Sequence, residues 1–236
     1  MKVTVLSSGS KGNATLVETK NKNILIDAGL TLTSLAKRID KLPNIDILII
    51  THSHIDHIKG IASVVKRYKP IIITKSKDII ELYPQAISEF KEEDLDISLF
   101  SLSHDTPCTG VSIACCDKEL IYITDTGYIN EKLFSKISNK DIYVMESNHD
   151  VEMLRNGKYP FFLQKRILGD KGHLSNEDSV FYLNKIIGEK TKYIVLAHLS
   201  EENNTEENVR NSSKRIKGNA NILIAKQKES LETIEV

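Results

Sequence analysis

The chain has 236 residues, 40% of them hydrophobic and 27% charged, which excludes a largely disordered protein. A chain of this length can bury roughly 70–75% of its unfolded surface and folds without covalent staples. Lys+Arg and Asp+Glu number 32 each, so no global positive field draws it to nucleic acid or an anionic membrane, and any such attraction has to be local.

The first half reads as short β-rich runs. Val3–Ser7, Ala14–Thr19 and Asn23–Asp27 are three closely spaced strands, and Ser7–Asn13 between the first two fits either a tight turn or a phosphate cradle, the turn being preferred. Leu32–Leu42 predicts a helix stopped near Pro43, followed by the buried strand Ile45–Thr51, a helix over Ile58–Tyr68 and a strand at Ile71–Thr74. The acidic stretch Glu89–Asp96 reads as an exposed turn. Strands follow at Ile97–Leu102, Gly110–Cys115, Leu120–Thr124 and Ile142–Glu146, with a helix near Glu131–Ile137. Helices are expected at Val151–Asn156, Pro160–Leu168, Ser175–Ile187 and Glu206–Lys214, and strands at Lys192–Ala197, Asn221–Ala225 and Leu231–Val236. Strands alternate with amphipathic helices in both halves, without repeat or linker, so residues 1–236 are expected to form one domain of sheets between helices.

The cysteines, Cys108, Cys115 and Cys116, are odd in number and crowded together, which suits a reducing compartment. No apolar stretch approaches the ~20 residues that cross a bilayer. Met1–Leu6 leads into a strand with no apolar signal core. The expectation is a cytoplasmic protein without a membrane partner.

The chemistry concentrates in Thr51-His52-Ser53-His54-Ile55-Asp56-His57-Ile58-Lys59-Gly60, where three histidines and an aspartate fall within six residues after an apolar strand. A turn there can aim alternate side chains at one point, so His52 and His54 fit one ion while Asp56 and His57 face a second position. Imidazole and carboxylate suit zinc and similar divalent ions. An exposed His-rich turn without function is the bland alternative, and so dense a cluster argues against it. Asp27, His104, Asp125 and His198 each follow a predicted strand, where ligands in open sheets characteristically collect.

The His52-x-His54-x-Asp56-His57 pattern, with Asp27 before it and His104, Asp125 and His198 after it, resembles the metallo-β-lactamase superfamily of hydrolases. The resemblance implies an α/β (α+β) fold, a four-layer αββα sandwich with two divalent metal ions between the sheets. It assigns His52, His54 and His104 to the first metal and Asp56, His57 and His198 to the second. Asp125 would bridge them, and Asp27 would orient ligands from behind. Ser8–Asn13, Glu146–Asp150, Gly157–Pro160 and Gly172–Asn176 further resemble the YycJ/WalJ-like group of bacterial proteins, associated with DNA exonuclease activity. Gly172-His173-Leu174-Ser175 is similar to the catalytic histidine motif of tRNA-maturing endonucleases in the superfamily. A long inserted RNA-processing domain and a flexible tRNA-binding arm are both missing, which points away from RNA.

A bridging Asp125 suits hard or borderline ions, zinc or manganese, and phosphoester substrates. The cysteines are then surplus: Cys115 and Cys116 are expected in the core, and Cys108 near the site without ligating. Arg155–Lys171 carries five basic residues against Asp170 alone, interleaved with Tyr159, Phe161 and Phe162. Two readings fit this segment. Basic residues can track phosphates while an aromatic stacks on a base, or the segment is an amphipathic helix with buried Phe and a solvated basic face. Lys59, Lys66, Arg67 and Lys69 form a second basic cluster. His149 fits either a helix cap or the edge of the site.

The resulting expectation is a binuclear hydrolase of phosphodiester bonds, a DNA exonuclease with nucleic acid as partner. Asp56 and His173 are the expected catalytic residues, and Lys165, Arg166 and Ser175 the expected substrate contacts. Hydrolysis of a thioester, lactone or cyclic nucleotide is the alternative, as is a non-catalytic metal-binding regulatory module.

Overall fold

In the computed structural model, which describes residues 1–236, two mixed sheets pack face to face between helices. The first contains β1 (Lys2–Ser7), β2 (Ala14–Glu18), β3 (Asn23–Ile26), β4 (Ile47–Ile50) and β5 (Ile71–Thr74). The second contains β6 (Glu89–Glu92), β7 (Leu95–Leu102), β8 (Cys108–Cys115), β9 (Lys118–Ile123), β10 (Ile142–Glu146), β11 (Tyr193–Ala197) and β12 (Asn221–Ile224). The last strand, β13 (Ile234–Glu235), returns to the first sheet, which is ordered β13-β1-β2-β3-β4-β5; the second runs β12-β11-β10-β9-β8-β7-β6.

Strand alternation produces the layers. Ile24, Ile26, Ile47 and Ile49 face Val111, Ile113, Tyr122, Val144 and Val195 across the space between the sheets. Leu25, Leu48 and Ile50 point the other way, onto α1 (Leu32–Ala36), α3 (Ile61–Tyr68) and α4 (Lys77–Leu82) through Leu35, Val64 and Ile79. On the far side Ile121, Tyr143, Met145 and Ile194 meet α5 (Phe134–Ile137), α8 (Asn176–Ile186) and α9 (Glu206–Ser213) through Ile137, Leu183, Ile186 and Val209. This is the four-layer sandwich that the resemblance implies.

Several boundaries differ from expectation. The turn expected over Glu89–Asp96 is confined to Glu93–Asp94: β6 pairs antiparallel with β7 on either side of it, so most of the charged residues decorate an edge hairpin. The helix expected to begin at Ile58 is two, α2 (Ile55–Ile58) and α3, parted by Gly60. A Cβ on Gly60 would fall 1.9 Å from the Leu30 carbonyl oxygen, so the backbone passes where no side chain fits. The helix from Leu32 ends by Ala36, α4 occupies residues with no strong periodic signal, and β13 is two residues long. Cys115 is buried, whereas Cys116 is exposed at a left-handed turn and packs in no core. Phe161 and Phe162 in α7 (Phe161–Ile167) are exposed, which removes the reading of a helix with buried Phe.

Candidate metal centre

Parallel pairing aligns the carboxyl ends of β3 with β4, and of β9 with β10 and β11. Asp27, Thr51–His52, Asp125, Glu146 and His198 therefore emerge at one rim of the sandwich. Asp27, Asp125 and His198 all have left-handed backbones, with φ of 60°, 58° and 56°. Non-glycine residues pay of order 1–2 kcal/mol for that conformation, and each turns a buried side chain sharply off its strand.

The His-rich turn is held from outside, since a four-residue helix such as α2 is not stable alone. The N–H groups of Asn13 and Ala28 donate to the carbonyls of Asp56 and His57 at 2.7 and 2.8 Å. The Ser7–Asn13 loop is thus a brace: Asn13 Nδ2 also reaches Asp56 Oδ2 (3.2 Å) and His57 Nε2 (3.0 Å), and Ser8 Oγ accepts from the His198 N–H.

Six of the seven histidines form one continuous group of rings, with neighbouring centroids 4.1–6.1 Å apart. Ligand atoms of His52, His54 and His104 lie within 4.8 Å of one another, and so do those of Asp56, His57 and His198. Asp125 meets both sides, in one group with His52 and His57 and in another with Glu146, His173 and His198. All seven residues expected to ligate metal converge here.

The rings are tethered from behind. His57 Nδ1 bonds Asp27 Oδ2 at 2.7 Å, His198 Nδ1 bonds Glu146 Oε1 at 2.8 Å, and His104 Nδ1 faces the Gly172 carbonyl at 3.2 Å. His52 Nδ1 lies 3.1 Å from Thr51 Oγ1, whose proton points to Asp27. Each tether fixes a tautomer and leaves Nε2 turned inward. The buried Nε2 atoms of His52, His104 and His198, and Oδ2 of Asp125, have no hydrogen-bond partner. Unpartnered buried polar atoms are costly, and these four converge with the donor types that bind zinc and similar ions. The residues present fit a pair of divalent metals.

The charges are strongly coupled. Burial opposes ionisation of Asp125, yet His198 and His57 hold its carboxyl well below the usual range. Burial also opposes charge on His57, but Asp27 and Asp125 push it up to about 10. At His52 burial and the histidine neighbours outweigh the opposing pull of Asp125 and take the pKa down to about 2, so it is neutral and ready to ligate.

Glu146 is the site residue that the motif reading left without a role. It is fully buried; Oε1 accepts from both His173 Nδ1 and His198 Nδ1 at 2.8 Å, and Oε2 from the N–H groups of Thr126 and Leu174. Burial opposes its ionisation, but His173 and then His198 bring it down to about 2. Its sequence signal was the same as that of Asp27 and Asp125, an acidic residue ending an apolar strand. Asp105 was also passed over: Oδ1 lies 3.2 Å from His104 Nε2 and 3.4 Å from His54 Nε2, and Oδ2 pairs with Arg166.

A cavity beside the centre is lined by His104, Tyr159, Leu163, Arg166, Lys171 and His173, among others. Arg166 thus reaches the site, while Lys165 is exposed and does not line this cavity. Ser175 is buried: its hydroxyl donates to Asp178 Oδ2 at 2.6 Å and accepts the Asp178 N–H, capping α8. Cys108 is buried with Sγ 3.7 Å from His52 Nδ1. His149 caps no helix, since Asp150 caps α6 (Val151–Asn156). It is buried with neither ring nitrogen bonded. No helix is long and apolar enough to cross a membrane.

The sequence profile described as the metallo-beta-lactamase superfamily matches residues 8–93. Exodeoxyribonuclease WalJ of Streptococcus pneumoniae is 37% identical over 226 residues, covering 87% of this chain and 84% of that protein. Exodeoxyribonuclease YycJ of Bacillus anthracis is 35% identical over 230 residues, covering 90% and 87%. Among solved structures, the metallo-beta-lactamase fold protein YhfI of Bacillus subtilis superposes with a TM-score of 0.72 at 18% identity, over 98% of this chain and 99% of that one. Human tRNase Z, short form, gives 0.69 at 16% identity, over 98% and 99%. With its fold, its buried His/Asp clusters and these relatives, the chain belongs to the metallo-beta-lactamase superfamily, as a metal-dependent hydrolase of its WalJ/YycJ-like branch.

Proposed function

We propose that this hydrolase cleaves phosphodiester bonds in DNA as an exonuclease. The observation that carries the reading is the Glu146–His173 pair set between the metal cages and a cavity walled by Arg166 and Lys171. The curated relatives named exodeoxyribonucleases support it. In this reading His52, His54 and His104 would hold one divalent ion, zinc or manganese, and Asp56, His57 and His198 another, Asp125 would serve both, and Asp27 fixes His57. Such a pair of ions supplies positive charge to the scissile phosphoryl group and lowers the pKa of the attacking water.

The chain's own residues do the rest. Arg166 and Lys171 draw the phosphate into the cavity and offset its charge. Asp56, steadied by Asn13, orients the attacking water through a carboxylate oxygen. His173 keeps its Nδ1 proton on Glu146, which leaves Nε2 to donate to the departing oxygen. Burial opposes that charge, but Glu146 raises the His173 pKa above the ordinary histidine value, as an acid working near neutrality requires.

The test is a substrate panel. Metal-loaded protein is given end-labelled DNA, RNA of the same sequence, a lactone, a thioester and a cyclic nucleotide. Progressive shortening of DNA is expected. Turnover of the lactone or thioester with DNA left intact would overturn the reading.

A further inference from the structure

Phe161 and Phe162 are 79% and 74% exposed, the two highest values among the large apolar side chains. Two adjacent aromatic rings in water are unusual on a soluble surface and mark a contact. No ring or cation of the chain packs on either, and α7 has no buried residue. The helix nonetheless has a defined place. Leu163 and Ile167, one turn apart, line the cavity beside His104 and His173, together with Tyr159 and Arg166.

Phe162 and Arg166 are also one turn apart and share a helix face. That row thus runs from an exposed ring to a guanidinium in the cavity wall. One turn is about 5.4 Å, comparable with the rise of one to two stacked nucleotides at about 3.4 Å each. Lys158, Lys165, Arg166 and Lys171 flank the rings along the chain, with Asp170 the one acidic residue of that segment and Arg166 also paired to Asp105, in a chain whose net charge is zero.

We propose that Phe161 and Phe162 form a stacking platform for unpaired bases, so that the strand reaching the metal centre is single-stranded. The inference rests on the nuclease reading and adds the form of its substrate. Aromatic rings stack on the faces of bases, which a duplex hides and an unpaired strand presents. The basic rim follows the backbone of the same strand, and Arg166 carries that track to the site. A protein partner would match the rings equally well but not a cationic rim that continues into a hydrolytic cavity.

The test compares the metal-loaded wild type with a Phe161→Ala/Phe162→Ala double variant. Substrates are a single-stranded thymidine 20-mer, its blunt duplex with the complementary strand, and methyl 4-nitrophenyl phosphate, which spans none of the platform. The double variant should show a KM for the single strand raised about tenfold or more, with kcat and turnover of the small diester unchanged. Replacing both rings should not disturb folding, because neither is packed. A Phe162→Trp variant should keep the wild-type KM, and its fluorescence should be quenched by the 20-mer. An unchanged KM, an equal loss on duplex, or the absence of quenching would overturn the platform. So would a wild-type dimer that the double variant converts to monomer, since the rings would then bind a second copy. A wild type inert to every polynucleotide would instead overturn the nuclease reading itself.

Discussion

One wall of the site takes His52, His54, Asp56 and His57 from six consecutive residues after β4, whereas the opposite wall takes Asp125, Glu146, His173 and His198 from separate strand ends and loops spread over residues 125–198. The first is a local device: one turn, braced by Asn13 and tethered by Asp27. The second is assembled by topology, because parallel β9, β10 and β11 bring their carboxyl ends together. On the local wall His52 and His57 have their tautomers fixed by separate partners, Thr51 and Asp27. On the assembled wall a single buried carboxylate, Glu146, orients two histidines with different tasks, so one change there should disturb metal binding and proton donation at once.

The largest effect is expected where the walls meet. Asp125 is the only carboxylate grouped with ligand atoms of both proposed cages, His52 of one and His57 and His198 of the other, so Asp125→Ala should keep the fold but lose one or both ions, and activity with them. Elemental analysis of the purified variant checks this. Two ions at full occupancy would show that the walls hold metal independently.

Next is His173, which belongs to the assembled wall but to neither proposed cage. His173→Ala should lower kcat on a phosphodiester by about 10²–10⁴-fold with metal content unchanged. Near-normal turnover with metal bound would remove it from proton donation and weaken the nuclease reading. A smaller effect is expected from Glu146→Gln, which keeps the shape and loses the charge. Metal affinity should fall about 10–100-fold, read by competition with a chromophoric chelator, and kcat should fall with it because His173 loses the same partner. A change in kcat alone would mean that Glu146 serves His173 and not the cage.

The same contrast explains what the sequence made legible. The HSHIDH turn announces itself because all its donors are neighbours. Asp27, Asp125 and His198 were found from strand ends, a weaker signal that the family resemblance ordered. Glu146 gives the same signal, but nothing local tells a carboxylate that orients two rings from one that ends a strand. The layers followed from alternation in runs such as Ile47–Ile50. The Glu89–Asp96 hairpin did not, because an edge strand facing water needs no apolar face. The Ser7–Asn13 brace was hidden for a further reason: Asn13 and Asp56 meet only when β1, β2 and α2 are in place. The exposure of Phe161 and Phe162 is likewise a tertiary fact, since amphipathic spacing alone suits a buried ring as well as a free one.

His149 offers the smallest effect and a test of what the assembled wall costs. On the local wall His52 and His57 each have a bonded Nδ1, whereas His149, between the end of β10 and the start of α6, is buried with both nitrogens unpartnered. Burial takes its pKa down to about 4, despite the nearby Glu146, Asp178 and Asp150. A folded-state value below the ordinary 6.5 means that the unfolded chain takes up the proton first. The contribution to stability is therefore fully present above pH 6.5 and is lost as pH falls from 6.5 through 4, by up to about 3 kcal/mol at roughly 1.36 kcal/mol per pK unit. His149→Phe carries no proton and fills similar space, so it should flatten this part of the pH profile while leaving kcat at pH 7.5 close to wild type. Urea unfolding of the metal-free protein at pH 7.5 and 4.5 measures it. If variant and wild type lose equal stability between those values, His149 finds a partner in solution, and the acid sensitivity of the site then resides in His52, whose charged form is excluded by burial and by the rings around it.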